Sequence, residues 1–575
     1  MKHAFFLAPA GTGAGLTTVS LGLVNALDSR GVRIAFFKPI NQRIASGLER
    51  STHFIRATTM LQPADPIPVT TATKMISEGR LDELLGQVIV AFNNSTEGAD
   101  VVVIEGLRSG RGNPHPASLN HELVKTLNAQ VILVASSADK TTDQLDDQIE
   151  YSAKEFGGIE KLLGVIVNHY PISDGATLPG PADRIRSESQ LLRRGKLQCI
   201  GVIPHSDSLT HPRTVDVQRH LKAEVLNAGE MEQRRVKHKY LVSLTVPNSL
   251  FTLLPGAILL AGADRTDVIV AVAMVALSKV PIAGLILTGD IPIDERMIEF
   301  CRPALETGLP LLRVRTHSYE TATQLFQLSS AVPADDLERT RAAVEHVAQA
   351  LDVEWLISQS KKELEFRLSP AAFLHQLTEK ARAANKQIVL PEGSEPRTVK
   401  AAAICGHRGI ARCVLLGKPL EVQAVAKSQD VELPDTVQIL DPALVRPNYV
   451  NPLYEARKHK GLSMEMAASQ LEDNVVLGTM MLALGEVDGL VSGAVHSTAN
   501  TIRPALQVIK TKPNAQAVSS IFFMCLPEQV LVYGDCAVVP DPDVETLADI
   551  AIQSADSAKT FGIAPRIAMI SYSTG

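Results

Sequence analysis

Unbroken apolar runs recur along the first part of the chain: HAFFLAP from His3, RIAFFKPI from Arg33, VVVIEG from Val101, QVILVAS from Gln130 and LLGVIVNHY from Leu162. The stretches between them carry apolar residues at helical spacing. Strands that are apolar throughout are covered on both faces, and strands joined by helices run parallel. The pattern therefore predicts a parallel α/β sheet from Ala4 to about Leu221. The passage from Ser173 to Lys196, rich in Pro, Gly, Arg and Ser, predicts an inserted loop. A basic stretch, EQRRVKHKY at 232–240, leads into a second unit. There GAILLAGADRTDVIVAVAMVAL and VPIAGLILTGD again read as strand, turn, helix, strand, with Asp264 as the helix cap. The charged SQSKKELEFRLSP at 358–370 reads as a hinge. Ser369 before Pro370 predicts a helix start. Helix Pro370–Ala384, strand Gln387–Leu390, helix Arg397–His407 and strand Arg412–Leu416 then open the final unit. The reading is α/β and multidomain, with parallel sheets covered by helices on both faces and divisions at 1–225, 226–360 and 361–575.

Candidate chemistry gathers where this pattern breaks. In GEVDGLVSGAVHSTANTIRPALQVIKT, from Gly485 to Thr511, an apolar run Val487–Val491 is stopped by Ser492 and Gly493. Ser497, Thr498 or Asn500 then caps a helix. Free N–H groups at a helix start attract phosphate, and Arg503 adds a bidentate donor. An ordinary crossover with a surface arginine would look the same from these residues alone. His496 is the ionisable group of the turn that titrates near neutrality, but a histidine beside a strand end more often makes a structural hydrogen bond. Further on, Arg566–Ser573 reads as a buried strand. Cys525 and Cys536 lie in apolar runs, which favours packing over a covalent role.

A second candidate is PAGTGAGLTT at 9–18, directly after the first strand. A phosphate-binding loop of the GxxxxGK[ST] type needs a lysine that here is Leu16. Gly11, Thr12, Gly13, Gly15 and Thr17 thus form an anion or nucleotide site without the residue that supports phosphoryl transfer. A glycine turn that lets helix and strand pack closely fits equally well.

Composition narrows the class. At 575 residues the chain is too long for one core. Lys plus Arg number 56 against 62 Asp plus Glu, a net charge of -6, so no polycationic surface exists for nucleic acid. Small molecules or other subunits are the expected partners. The six cysteines have no CxxC pairing and no metal-like spacing with histidine, which points to reduced thiols in the cytoplasm and to no metal site. The apolar core Ala4–Leu7 is too short for a secretory signal, and Val268–Leu277 is short of the roughly 18 residues of a membrane span.

Five segments carry a family resemblance: SGAVHSTANTIRP at 492–504, YEARKHKG at 454–461, LEDNVVLGTMMLALGEVDG at 471–489, LPEGSEPRTVKAAA at 390–403 and MISYSTG at 569–575. Together the chain, from about Phe5 to Gly575, resembles the phosphate acetyltransferase family in its long form. The resemblance implies reversible transfer of acetyl between coenzyme A and phosphate, with coenzyme A as substrate and no tightly bound cofactor. It implies that Arg503 and Arg457 bind substrate; on spacing alone, Arg457 would be a solvated helix end. It further implies a site that includes Ser571, Ser573 and Thr574, and a C-terminal domain of two α/β subdomains that dimerises. The middle unit resembles the DRTGG domain, although Asp267 here follows Thr266. The first unit resembles the dethiobiotin synthetase-like fold, in which Lys38 and Glu105 match positions of phosphate and metal chemistry. Family members continue past the equivalent of Gly575 with a Ser-Arg pair and a thiol-base aspartate. A fragment with an incomplete second subdomain and little activity is therefore the expectation, and a noncatalytic metabolite-binding or scaffold form is the alternative. An ATP-dependent ligase is disfavoured by the missing lysine, and a nicotinamide dehydrogenase by the absence of GxGxxG.

Overall fold

The computed structural model describes residues 2–42, 49–108, 116–171, 180–329, 331–362, 368–513, 515, 517–527 and 529–570. The chain forms two compact units: the first carries a six-stranded sheet, a five-stranded sheet and the short pair Ile40–Asn41 with Ile67–Pro68, and the second comprises Glu78–Ile89, Lys125–Asn128 and the described residues from 368 onward. The α/β expectation holds in both.

In the first unit, six parallel strands lie in the spatial order Ile34–Phe37, Val101–Glu105, His3–Ala10, Gln130–Ser136, Leu162–Tyr170 and Cys199–Pro204. These are the apolar runs of the sequence. Phe5 and Leu7 point into one buried cluster, while Phe6 is equally buried on the other face, as a sheet with both faces covered requires. Helix Leu16–Asp28 packs in that cluster against Val344, Val347, Leu351 and Leu356. Helices Leu337–Gln349 and Val353–Ser360 therefore return to the first core after the chain has built the second sheet. That second sheet orders His238–Leu241, Ala257–Gly262, Gly284–Thr288 and Leu311–Val314 in parallel, with Glu224–Asn227 antiparallel at one edge.

Two local expectations change here. Helix Thr266–Leu277 begins one residue later than an Asp264 cap requires, so Arg265 holds the cap position without a side-chain cap. The Arg265 guanidinium instead pairs with Asp267 at 2.8 Å. The expected loop 173–196 is helical over Pro181–Glu188 and Gln190–Arg193, because Asp146 accepts hydrogen bonds from Ser189 Oγ and the Gln190 amide; 172–179 lie outside the described residues.

The second unit opens as read from the sequence. Ser369 accepts from the Ala372 amide, proline occupies the first turn of Pro370–Ala384, and the parallel strands Gln387–Leu390 and Arg412–Leu416 follow. Its sheet runs Val437–Leu440, Arg412–Leu416, Gln387–Leu390, Gly489–Leu490. A separate antiparallel hairpin, Ile521–Cys525 with Val530–Gly534, packs through Phe523 on Phe373 and Phe561. A two-stranded hairpin covers only one face. Cys525 is accordingly exposed, and Cys536 lies beyond the strand and is half-buried, in contrast to the buried positions expected. The strand expected at Arg566–Ser573 is also not formed over 566–570, where no described strand offers ladder partners and Ile570 is 94% exposed. Residues Ser571, Ser573 and Thr574 lie outside the described residues. Among the described residues no helix is long and apolar enough to cross a membrane.

Candidate active site

Strand Gly489–Leu490 joins the sheet beside Gln387–Leu390 in parallel register, Ile388 opposite Gly489 and Val389 opposite Leu490. Flanking bonds from the Asp488 amide to the Gln387 carbonyl and from the Val491 amide to the Val389 carbonyl extend this short ladder. Two strand ends therefore emerge together, and ligands in open parallel sheets sit beyond such ends. From one comes Pro391-Glu392-Gly393; from the other, Ser492 to Ser497.

Glu392 decides the shape of the second loop. Its carboxylate accepts from the amides of Gly493 at 3.1 Å, Ala494 at 3.0 Å, Val495 at 2.8 Å and His496 at 2.9 Å. His496 Nδ1 lies 2.8 Å from the same group. An ionised carboxylate only accepts, so this ring nitrogen carries a proton. The turn amides just ahead of the helix are thus filled by a buried internal anion, while the helix start assigned to phosphate lies beyond them. The cause is plain: a carboxylate taken out of water needs donors, and this turn supplies them. Gly493 sits at φ 122°, a conformation that only glycine adopts easily, and it is what turns the successive amides inward. Arg397 closes the far side, its Nη2 2.6 Å from the Ala494 carbonyl.

Burial by itself would raise the Glu392 carboxyl, but hydrogen bonds from Val495, His496 and Ala494 and from the His496 ring outweigh it and hold the group down at about 2. A carboxyl depressed in the folded state stabilises the protein above its unfolded value near 4.5, and that contribution disappears as pH falls from there towards 2. Chemical denaturation at a series of pH values should therefore show a loss of about 3 kcal/mol across that window, absent from Glu392→Gln.

With the turn fixed, Ser497 caps helix Thr498–Val508 by accepting from the Asn500 amide. Thr498 and Asn500 lie exposed in the first turn, and the amides of Thr498 and Ala499 precede the first helical partners. Ser492 Oγ is buried without a hydrogen-bond partner. Arg503 stands on the exposed face of the helix with no ion pair or hydrogen bond among the described residues. The helix packs on Asn474–Ala483 and on Pro447–Arg457, whose last residue is Arg457. Arg457 is half-buried and its Nε is enclosed without a partner, which is not the solvated helix end that spacing alone allows.

The glycine loop of the first unit gathers Gly11, Thr12, Gly13, Gly15, Thr17 and Lys38 around a cavity of about 460 Å³. Gly15 at φ 74° approaches Asn168 so closely that a Cβ would lie 2.3 Å from Nδ2. Lys38 Nζ is buried and 2.8 Å from Glu105 Oε1, which also takes Ser51 Oγ at 3.0 Å and Thr17 Oγ1 at 3.1 Å. Lys38 and Glu105 thus neutralise one another directly behind the loop. Among the described residues no group of three or more His, Cys, Asp or Glu is placed to hold a metal ion.

Comparison with known proteins decides what this loop and helix belong to. Residues 372–575 match the phosphate acetyl/butaryl transferase model, 3–213 an AAA domain and 216–328 the DRTGG domain. The phosphate acetyltransferase of Pseudomonas aeruginosa is 51% identical over 100% of this chain and 82% of its own length. The chain belongs to the phosphate acetyltransferase family. The Escherichia coli member is 46% identical over 100% of this chain and 83% of its own length. A phosphotransacetylase structure from Streptococcus pyogenes is 38% identical over 36% of this chain and 63% of that one, with a TM-score of 0.34. The protein is an acyltransferase that moves acetyl between coenzyme A and phosphate, and the noncatalytic alternative is not favoured.

Sequence reasoning assigned no role to Glu392 or Ser51. The signal for Glu392 was its place just past a strand end in LPEGSEP; Ser51, on a helix remote in sequence, offered none.

Proposed function

We propose that Arg503 and Arg457 grip the phosphate groups of the reactants beside the loop that Glu392 holds rigid. The observation that carries this is the filled amide ring. Its donors are already taken by Glu392, so negative charge from substrate falls to the unpaired guanidinium on the next helix and to Ser492, Ser497, Thr498 and Asn500 around the helix start.

The chemistry sets what these groups do. The coenzyme A thiolate attacks the acetyl carbonyl of acetyl phosphate, the C–S bond forms, the C–O bond to phosphate breaks and phosphate leaves; the reverse reaction retraces this path. A thiol with an ordinary pKa of about 8.5 must lose its proton, and the phosphate must be neutralised as the leaving group. A guanidinium does the second with two parallel donors. Direct attack is favoured over an acyl-cysteine because Cys525 ends the hairpin strand and Cys536 donates its Sγ to the Tyr533 carbonyl at 3.0 Å, neither bonded to a base among the described residues. Kinetics of Arg503 and Arg457 variants by thioester absorbance test the reading.

The broader assignment is of three domains, 1–225, 226–360 and 361–575, in a cytoplasmic homo-oligomer that dimerises through the C-terminal domain, without a tightly bound cofactor. The glycine loop serves as an anion or nucleotide site that does not hydrolyse its ligand, since Leu16 replaces the phosphate-bound lysine and Lys38 is committed to Glu105. Magnesium-dependent ATP hydrolysis by the full chain should stay at the buffer background in a phosphate-release assay; robust turnover would overturn this part.

A further inference from the structure

The basic stretch 232–240 is only partly consumed by the fold. Arg234 reaches Glu230 and the carbonyls of Ile282 and Thr307, and Arg235 is held by Asp336 and Glu338. These arginines tie segments of the first unit together. The next three residues behave differently. Lys237, His238 and Lys239 open, with His211, onto a second cavity of about 530 Å³.

Little in the protein answers this positive charge. Lys237 and His211 make no ion pair or side-chain hydrogen bond among the described residues. His238 only stacks on Tyr240, with ring centroids 6.1 Å apart. Lys239 donates to the Leu325 carbonyl at 3.0 Å and lies 5.8 Å from the centre of the Phe326 ring, both uncharged partners, and burial lowers its pKa. The acid on the lining is Asp207, and it already faces His205 at 3.1 Å. His211 is held below its usual value by burial and then by the nearby Lys237. Two ammonium groups against one carboxylate, Asp207, around one concave space leave a net positive charge, and the two imidazoles beside them offer further N–H donors. The cavity falls within the size range of small-ligand pockets, about 300–1,000 Å³.

We propose that this cavity binds a small polyanion, a metabolite bearing a phosphate group or several carboxylates, on residues that take no part in acetyl transfer. Lysine ammoniums are point charges without the planar fork of arginine, so they accept a tetrahedral phosphate and a cluster of carboxylates alike. Lys237 is exposed, which makes it the position to test.

Isothermal titration of the full chain with pyrophosphate, and separately with citrate, reads the site. Wild type should show a saturable component with at least one probe. Lys237→Glu should weaken that component tenfold or more and Lys237→Ala severalfold, with acetyl transfer in the absence of probe unchanged in both. A response to pyrophosphate alone identifies the phosphate class, and to citrate alone the carboxylate class. No saturable component with either probe overturns the proposal. So does a component that survives Lys237→Glu, since the anion would then reside at the glycine loop or the transfer site.

Discussion

Arg503→Gln should lower kcat/KM for acetyl transfer by about 10²- to 10³-fold, the usual cost of removing one preorganised donor from developing charge. Arg503 is exposed and unpaired among the described residues, and Pro504, next to it, is the buried residue of that helix. The substitution therefore leaves packing intact, and thermal unfolding should not move. A stability loss with normal kinetics would mean that the arginine is structural. Arg503→Lys should recover only part of the rate, because an ammonium supplies charge without the bidentate fork.

Glu392→Gln should have a second large effect, and of a different kind. Removing the charge leaves four inward amides and the His496 ring facing a neutral amide side chain whose NH2 cannot accept. The folded state should lose about 3 kcal/mol near neutral pH, the free-energy equivalent of the depressed carboxyl. Activity should fall by about 10²-fold or more, since misplacing a positioned group by about an ångström has that consequence. Denaturant titration and thioester kinetics on the same preparation separate the two losses. His496→Gln, which keeps its backbone amide on Glu392, should lose far less of both.

The contrast between these residues shows what the chain reveals before it folds. Ser497 and Ser369 with Pro370 act through bonds to near neighbours in sequence, and the glycines at 11, 13 and 15 through their own positive φ, so their roles follow from local spacing. The apolar strands were equally legible, because a both-face-buried strand must be apolar throughout. Glu392 meets its amides across 101 to 104 residues, and only the crossover that sets Gly489–Leu490 beside Gln387–Leu390 brings them together. Asp264 failed by one residue of register, since Arg265 takes the cap position and turns its side chain to Asp267. Cys525 and Ile570 were misplaced for a related reason: an apolar run predicts burial only where the fold supplies a second layer to cover it.

A double-substitution cycle with Arg457→Gln and Arg503→Gln, read as kcat/KM for acetyl transfer by thioester absorbance, bears on the paired-arginine site most directly. Two guanidiniums acting on the same reactants should each lower the rate strongly and should not combine as independent factors, with a coupling of at least about 1 kcal/mol. Near-normal kinetics in either single variant, or losses that simply multiply in the double variant, would contradict a shared phosphate grip.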